Sequence, residues 1–164
     1  MKLLFIGDIV GRPGREIIKD KLPGFVAEHA VDFVVANGEN AAHGAGINAG
    51  IARDLRNYGV QAITLGDHTW DVKGFDREIG DLDWVCRPSN LPAAQPGCTH
   101  IILEKNGFRL LVATVMGRNF MNPKVDCPFL QADAWCARRG MDADAVHIGG
   151  ELGFGKDLCH GGQK

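Results

Sequence analysis

Phe33-Val34-Val35-Ala36-Asn37-Gly38-Glu39-Asn40 sets four consecutive apolar residues before a polar terminus holding a glycine, a carboxylate and a carboxamide. A run this short and this continuously apolar reads as a strand of a parallel sheet covered on both faces. The same grammar recurs on either side. Lys2 to Gly7 is an apolar run that ends at Asp8, and Ala62-Ile63-Thr64-Leu65 ends at Gly66-Asp67-His68. Between the first two runs, Ile17, Ile18, Leu22, Phe25 and Val26 recur at helical spacing, with Pro23 expected to interrupt or restart the helix. Between the second and third, Asn48 is placed to cap a helix with the stripe Ile51, Leu55 and Tyr58, and Gly59 to close it. Strands alternating with amphipathic helices predict an α/β layered fold with right-handed crossovers. Farther on, Asn106-Gly107 predicts a two-residue hairpin loop between residues 100–105 and 108–115. Its antiparallel pair is expected to join the sheet. Residues 128–139 read as a helix entered with Pro128 in its first turn and left at Gly140, and Asp144-Ala145-Val146 opens a further strand.

Composition bounds what such a fold can do. A chain of 164 residues, 45% hydrophobic and 23% charged, suits one globular domain with its own core, and excludes a disordered chain or a collagen-like rod. Eighteen Lys and Arg against twenty Asp and Glu leave a net charge of −2, which gives no general attraction to nucleic acid or an anionic membrane. No apolar run approaches the roughly 20 residues of a bilayer span. The opening run meets Asp8 too soon for a secretory leader. Five cysteines without a C-x-x-C pair fit a reducing cytoplasm better than a disulfide framework or a zinc ribbon.

The chemistry lies at the strand ends. Asp8, Glu39 with Asn40, and Asp67 with His68 follow three successive strands, and in an open parallel sheet these termini share the ligand-binding edge. Taken singly, each has a bland reading: an Asp after a strand is commonly a cap or turn residue, and Gly-Glu-Asn forms a turn if Gly38 has positive φ. Taken together, they crowd like charge into one crevice, which is costly without a cation. Carboxylate and carboxamide oxygens beside an imidazole suit manganese, iron or zinc. Two such ions about 4 Å apart clamp a phosphoryl group and supply a hydroxide for in-line attack. His68 then stands where the leaving group needs a general acid; His43 is a loosely held neighbour in the following loop.

Five ordered segments carry a resemblance: residues 7–15, 37–44, 66–71, 87–92 and 116–121. Beginning Gly7-Asp8, Asn37-Gly38-Glu39-Asn40, Gly66-Asp67-His68-Thr69-Trp70-Asp71, Arg87-Pro88-Ser89-Asn90 and Met116-Gly117-Arg118-Asn119, they resemble the signatures of the YmdB-like branch of the calcineurin-like metallophosphoesterases. The resemblance implies a four-layer α/β sandwich, a centre of two iron or manganese ions, and phosphodiesterase activity on small phosphodiesters such as 2′,3′-cyclic nucleotides. Position by position it implies Asp8, Glu39, Asn40 and Asp67 as metal ligands, Glu39 as their bridge, and His68 as proton donor.

Two departures stand out. The family pattern is Gly-Asn-His where this chain reads Gly66-Asp67-His68, so the centre carries an added negative charge. The family also carries three further histidines, one after the strand that begins near Ala143, the others in a later Gly-Thr-His-Thr-His segment. Residues 147–164 instead hold six glycines and no family motif. A slip of reading frame accounts for this: Phe154 to Gly161 can be encoded so that dropping one base yields Ser-Glu-Lys-Ile-Cys-Ala-Met. Residues 1–146 are therefore expected to form the N-terminal part of a metallophosphoesterase domain, incomplete at its C-terminus. Residues 147–164 are expected to form an aberrant tail with His147 and His160 exposed. The rival reading is a catalytically impaired remnant lacking the distal histidines. A dinucleotide fingerprint fails because Ile9 stands where the second glycine belongs. An aspartyl-phosphate mechanism at Asp8 leaves Glu39, Asn40 and His68 without a role.

Overall fold

The apolar runs pair side by side, in chain order, into a parallel sheet. The computed structural model describes residues 1–118, 124–137 and 143–151. Sheet A contains β1 (Leu3–Ile6), β2 (Phe33–Asn37), β3 (Ala62–Thr64) and β4 (Val85–Cys86), ordered β1-β2-β3-β4 and all parallel. The connections are α1 (Gly11–His29), α2 (Ala49–Asn57), a 3-10 turn over Asp67–Trp70, and the short α3 (Phe75–Glu78). A consecutive strand order with crossovers of one hand stacks the connecting helices on one face. There Ile18 and Leu22 of α1 and Leu55 of α2 pack on Val34, Ala36, Ile63 and Val85.

That arrangement leaves the other face of sheet A, with Phe33, Val35, Ala62 and Cys86, to be covered by something else. The expectation that the hairpin joins the same sheet is corrected here. Strands β5 (His100–Lys105) and β6 (Phe108–Met116) pair antiparallel and, with β7 (Ala145–Glu151) parallel to β6, make a separate sheet B ordered β5-β6-β7. Ile101, Leu110 and Val112 of sheet B close against the open face of sheet A. The outer face of sheet B, through Leu111 and Ala113, receives Trp135 of α4 (Pro128–Cys136). Helices, sheet A, sheet B and α4 thus form a four-layer α/β sandwich.

Local signals explain most boundaries. Asn48 Oδ1 accepts from Ile51 N at 2.9 Å at the start of α2, and Gly59, at φ +112°, donates to Arg56 O beyond its end. Asn106 and Gly107 both have positive φ, as a two-residue hairpin loop requires. Pro128 opens α4, whose anticipated stop at Gly140 lies outside the described residues. Pro23 does not break α1; the stripe of Ile18, Leu22 and Val26 packed on sheet A carries the helix through. Among the described residues no helix is long and apolar enough to cross a membrane, and the four described cysteines are free.

Candidate metal centre at the sheet edge

Parallel strands bring their carboxyl ends to one edge, so Asp8 beyond β1, Glu39 and Asn40 beyond β2, and Asp67 and His68 beyond β3 converge there. The convergence is stitched by hydrogen bonds. Ile9 N donates to Asn37 O at 3.1 Å and Gly11 N to Asn40 O at 2.9 Å, tying the chain after β1 to the chain after β2. Asn40 Nδ2 donates to Asp8 Oδ2 at 3.2 Å, which leaves the carboxamide oxygen as the atom of Asn40 able to ligate a cation.

Glu39 is the centrepiece and is fully buried. Its Oε1 accepts from Asn37 Nδ2 at 2.9 Å and its Oε2 from His68 N at 3.1 Å. Asn37 Oδ1 in turn accepts from Glu39 N at 3.0 Å. Burial raises the Glu39 carboxyl above its ordinary range; the two hydrogen bonds oppose this, and the charges of Asp67 and Asp8 add to it. Two glycines make the room. A Cβ on Gly66 would lie 2.4 Å from Glu39 Oε1 and 2.5 Å from Oε2, and one on Gly38 would lie 2.7 Å from Ile63 Cγ2. The constraint at Gly38 is steric, not the positive φ that a simple turn reading supposes.

His68 is half-exposed, and its Nδ1 lies 2.5 Å from Asp71 Oδ2. That bond raises the imidazole pKa; partial burial opposes it, and the charges of Asp67, Asp71 and Glu39 add to it. With Nδ1 engaged, Nε2 is the ring nitrogen presented for proton transfer, and it stands 4.0 Å from Asp67 Oδ1. Asp71 and Asn37 are the partners that sequence reasoning missed. The signals were there: His-x-x-Asp on one turn, and an Asn two residues before the carboxylate whose amide it caps.

The donor chemistry fits a hard divalent ion. Asp67 Oδ1 is buried and has no hydrogen-bond partner among the described residues, an expensive state for a carboxylate oxygen unless a cation meets it. The shell is nevertheless partial. Among the described residues no three His, Cys, Asp or Glu side chains gather so as to hold an ion by themselves. His147, expected exposed, is buried instead, with 8% of its surface accessible. Pairing of β7 with β6, where His147 lies opposite Val112, draws it between the sheets, and its ring packs on Phe5 at 4.7 Å. His160 lies outside the described residues. His43 is exposed on the loop after Asn40 with φ +54°. Of the neighbouring arginines, Arg15 donates to Ala41 O and Arg12 pairs with Glu16.

The family model described as "YmdB-like protein" matches residues 4–151 of this chain, which takes in the whole edge. The chain belongs to the YmdB-like family. It is 43% identical over 148 residues to a Bacillus subtilis protein named 2′,3′-cyclic-nucleotide 2′-phosphodiesterase, covering 90% of this chain and 56% of the relative. A hypothetical protein from Thermus thermophilus has a similar crystal structure, with TM-score 0.79 and 38% identity over 92% of this chain and 58% of that one. A Mycoplasma pneumoniae protein, described as a novel phosphatase, matches with TM-score 0.80 and 28% identity over 92% of this chain and 56% of that one. This YmdB-like chain therefore spans little more than half the length of these relatives.

Proposed function

We propose that this chain carries the metal-binding edge of a metal-dependent phosphoesterase acting on small phosphodiesters, 2′,3′-cyclic nucleotides among them. The observation that carries the reading is a buried Glu39 carboxylate, raised in pKa by its own burial, at the same sheet edge as a buried Asp67 Oδ1 that accepts no hydrogen bond among the described residues. Both lie beside a histidine oriented by Asp71. Asp8, Glu39, Asn40 and Asp67 would hold two divalent ions of iron or manganese type, with Glu39 as the ligand the two would share. When bound, such ions place positive charge on the phosphoryl oxygens and supply a nucleophile at neutral pH. The chain's own residues do the rest. Asn37 and His68 N hold the Glu39 carboxylate in place, Asn40 holds Asp8, and Asp71 fixes the His68 ring. As the phosphorus–oxygen bond to the leaving group breaks, His68 Nε2 gives its proton to the departing oxygen. The named relative's substrate supports the cyclic-nucleotide assignment, and the cysteine pattern supports a cytoplasmic setting.

One observation favours a second reading. The described donors form a partial shell, without three His, Cys, Asp or Glu side chains gathered on one ion, as a catalytically impaired member lacking distal histidines would have. Hydrolysis of bis-p-nitrophenyl phosphate and of 2′,3′-cyclic AMP, with added manganese and with chelator, separates the two. Chelator-sensitive turnover that is lost in His68→Ala supports the enzyme. Fewer than two ions per chain and no chelator-sensitive turnover support the impaired form.

A further inference from the structure

Arg87 follows β4 and is only 1% exposed, the largest fully buried side chain described. Among the described residues it forms no ion pair. Its guanidinium instead donates to four backbone carbonyls. Nε reaches Pro96 O at 3.0 Å, Nη1 reaches Pro88 O at 3.0 Å, and Nη2 reaches Gln95 O at 3.0 Å and Pro92 O at 3.4 Å. All four acceptors belong to residues 88–96, so that loop is rolled around a buried cation. Burial lowers the guanidinium pKa, yet an arginine stays charged in a protein. An apolar side chain could fill the same space but would leave these carbonyls without the donors Arg87 supplies.

The half-buried Gln95 links the loop to the turn after β3. Its Oε1 accepts from Trp70 Nε1 at 3.1 Å, and Trp70 ends the 3-10 turn that begins with Asp67 and His68. The turn is thereby held at two points. Toward its start, His68 N is bound to Glu39 Oε2 at 3.1 Å, and at its end Trp70 is bound to Gln95. Just past the loop, Gly97, at φ +91°, lies close against Ile79, where a Cβ would stand 2.7 Å from Cδ1. Arg87 N donates to Cys98 O at 3.0 Å just beyond.

We propose that the loop rolled around Arg87 is a positioning strap: through Gln95 and Trp70 it fixes the turn that carries Asp67 and His68, and so the direction in which the His68 imidazole faces the substrate. The proposal rests on the reading of His68 as proton donor. Arg87 and Gln95 are positioning residues that act through Trp70.

Gln95→Leu removes the acceptor at similar volume, Gln95→Glu keeps an oxygen there, and Trp70→Phe removes the donor while keeping a ring beside Phe75. Each is made in the full chain and read three ways: urea midpoint, NMR signals of the Trp70 indole N–H and His68 ring in chelator-treated protein, and kcat and KM for bis-p-nitrophenyl phosphate with manganese. Gln95→Leu and Trp70→Phe are each expected to shift the His68 ring signals. Each should also lower kcat about tenfold with KM within about twofold, the signature of a misplaced group that acts in the transition state. Gln95→Glu is expected to restore both readouts, and the double variant Gln95→Leu with Trp70→Phe to add nothing further. His68 signals that stay put in Gln95→Leu and Trp70→Phe overturn the strap, even where stability falls. The NMR arm needs no turnover, so an inactive wild-type chain refutes the phosphoesterase reading while leaving the strap to be decided by the His68 shifts.

Discussion

Replacing Gly66 with alanine puts a methyl into the carboxylate of Glu39. The added carbon would sit 2.4 Å from Oε1, 2.5 Å from Oε2 and 2.7 Å from Cδ, all inside van der Waals contact. Glu39 has nowhere cheap to go, being fully buried and bonded through both oxygens to Asn37 and to His68 N. Overpacking of a core costs about 1–3 kcal/mol. Breaking one hydrogen bond to a buried charged acceptor adds about 1.5–3 kcal/mol. Gly66→Ala is therefore expected to destabilise the chain by roughly 2.5–6 kcal/mol. With a urea m-value of about 1–3 kcal/mol/M for a protein of this size, the midpoint should fall by at least about 1 M. Manganese affinity should fall with it, since the displaced carboxylate is the proposed bridge. A midpoint within about 0.3 M of wild type, together with unchanged manganese binding, would refute the seating of Glu39 against Gly66 and the order it imposes on the site.

Three further outcomes follow from the same geometry. Asp71→Asn takes the negative charge out of the bond that most raises the His68 pKa, so the imidazole is expected to titrate at lower pH by NMR; an unmoved titration contradicts the pairing. In the chelator-treated chain, the Glu39 carboxyl is raised above its ordinary 4.5, so between that pH and the raised value the folded state holds a proton that the unfolded state has lost. Stability should therefore fall as pH rises through this window, and Glu39→Gln should flatten the slope in urea midpoints taken from about pH 4.5 to about pH 7. Asp67→Asn removes one negative charge from the edge while keeping an oxygen ligand. It is expected to retain manganese binding and raise turnover, because phosphate and nucleophile meet less repulsion; unchanged turnover counts against the charge argument.

Sequence reasoning located the edge because parallel strands force it. Once residues 3–6, 33–37 and 62–64 are read as adjacent parallel strands, Asp8, Glu39 and Asp67 must lie together. Helix caps and the hairpin were equally legible, since Asn48 and Asn106-Gly107 act locally. What periodicity could not reveal was which sheet the hairpin joins. The apolar residues of β5 and β6 would suit an edge position or a facing sheet equally well, and the choice is made by the uncovered face of Phe33, Val35 and Ala62. Burial of His147 was hidden for the same reason, because it depends on pairing of β7 with β6 rather than on its neighbours in sequence. Pro23 misled because local helix-breaking chemistry was weighed without the packing that overrides it. Asp71 and Asn37 escaped notice because they position other groups and hold no place in the ligand pattern.

The central claim is that Glu39 and its neighbours at the sheet edge hold divalent metal. Its most direct test is manganese titration of the chelator-stripped full chain, followed by the electron paramagnetic resonance of free manganese, in wild type and in Glu39→Ala. Loss of free signal in wild type, with that uptake abolished or greatly weakened in Glu39→Ala, is the predicted result. Equal uptake by both proteins, or none by wild type, would contradict the account.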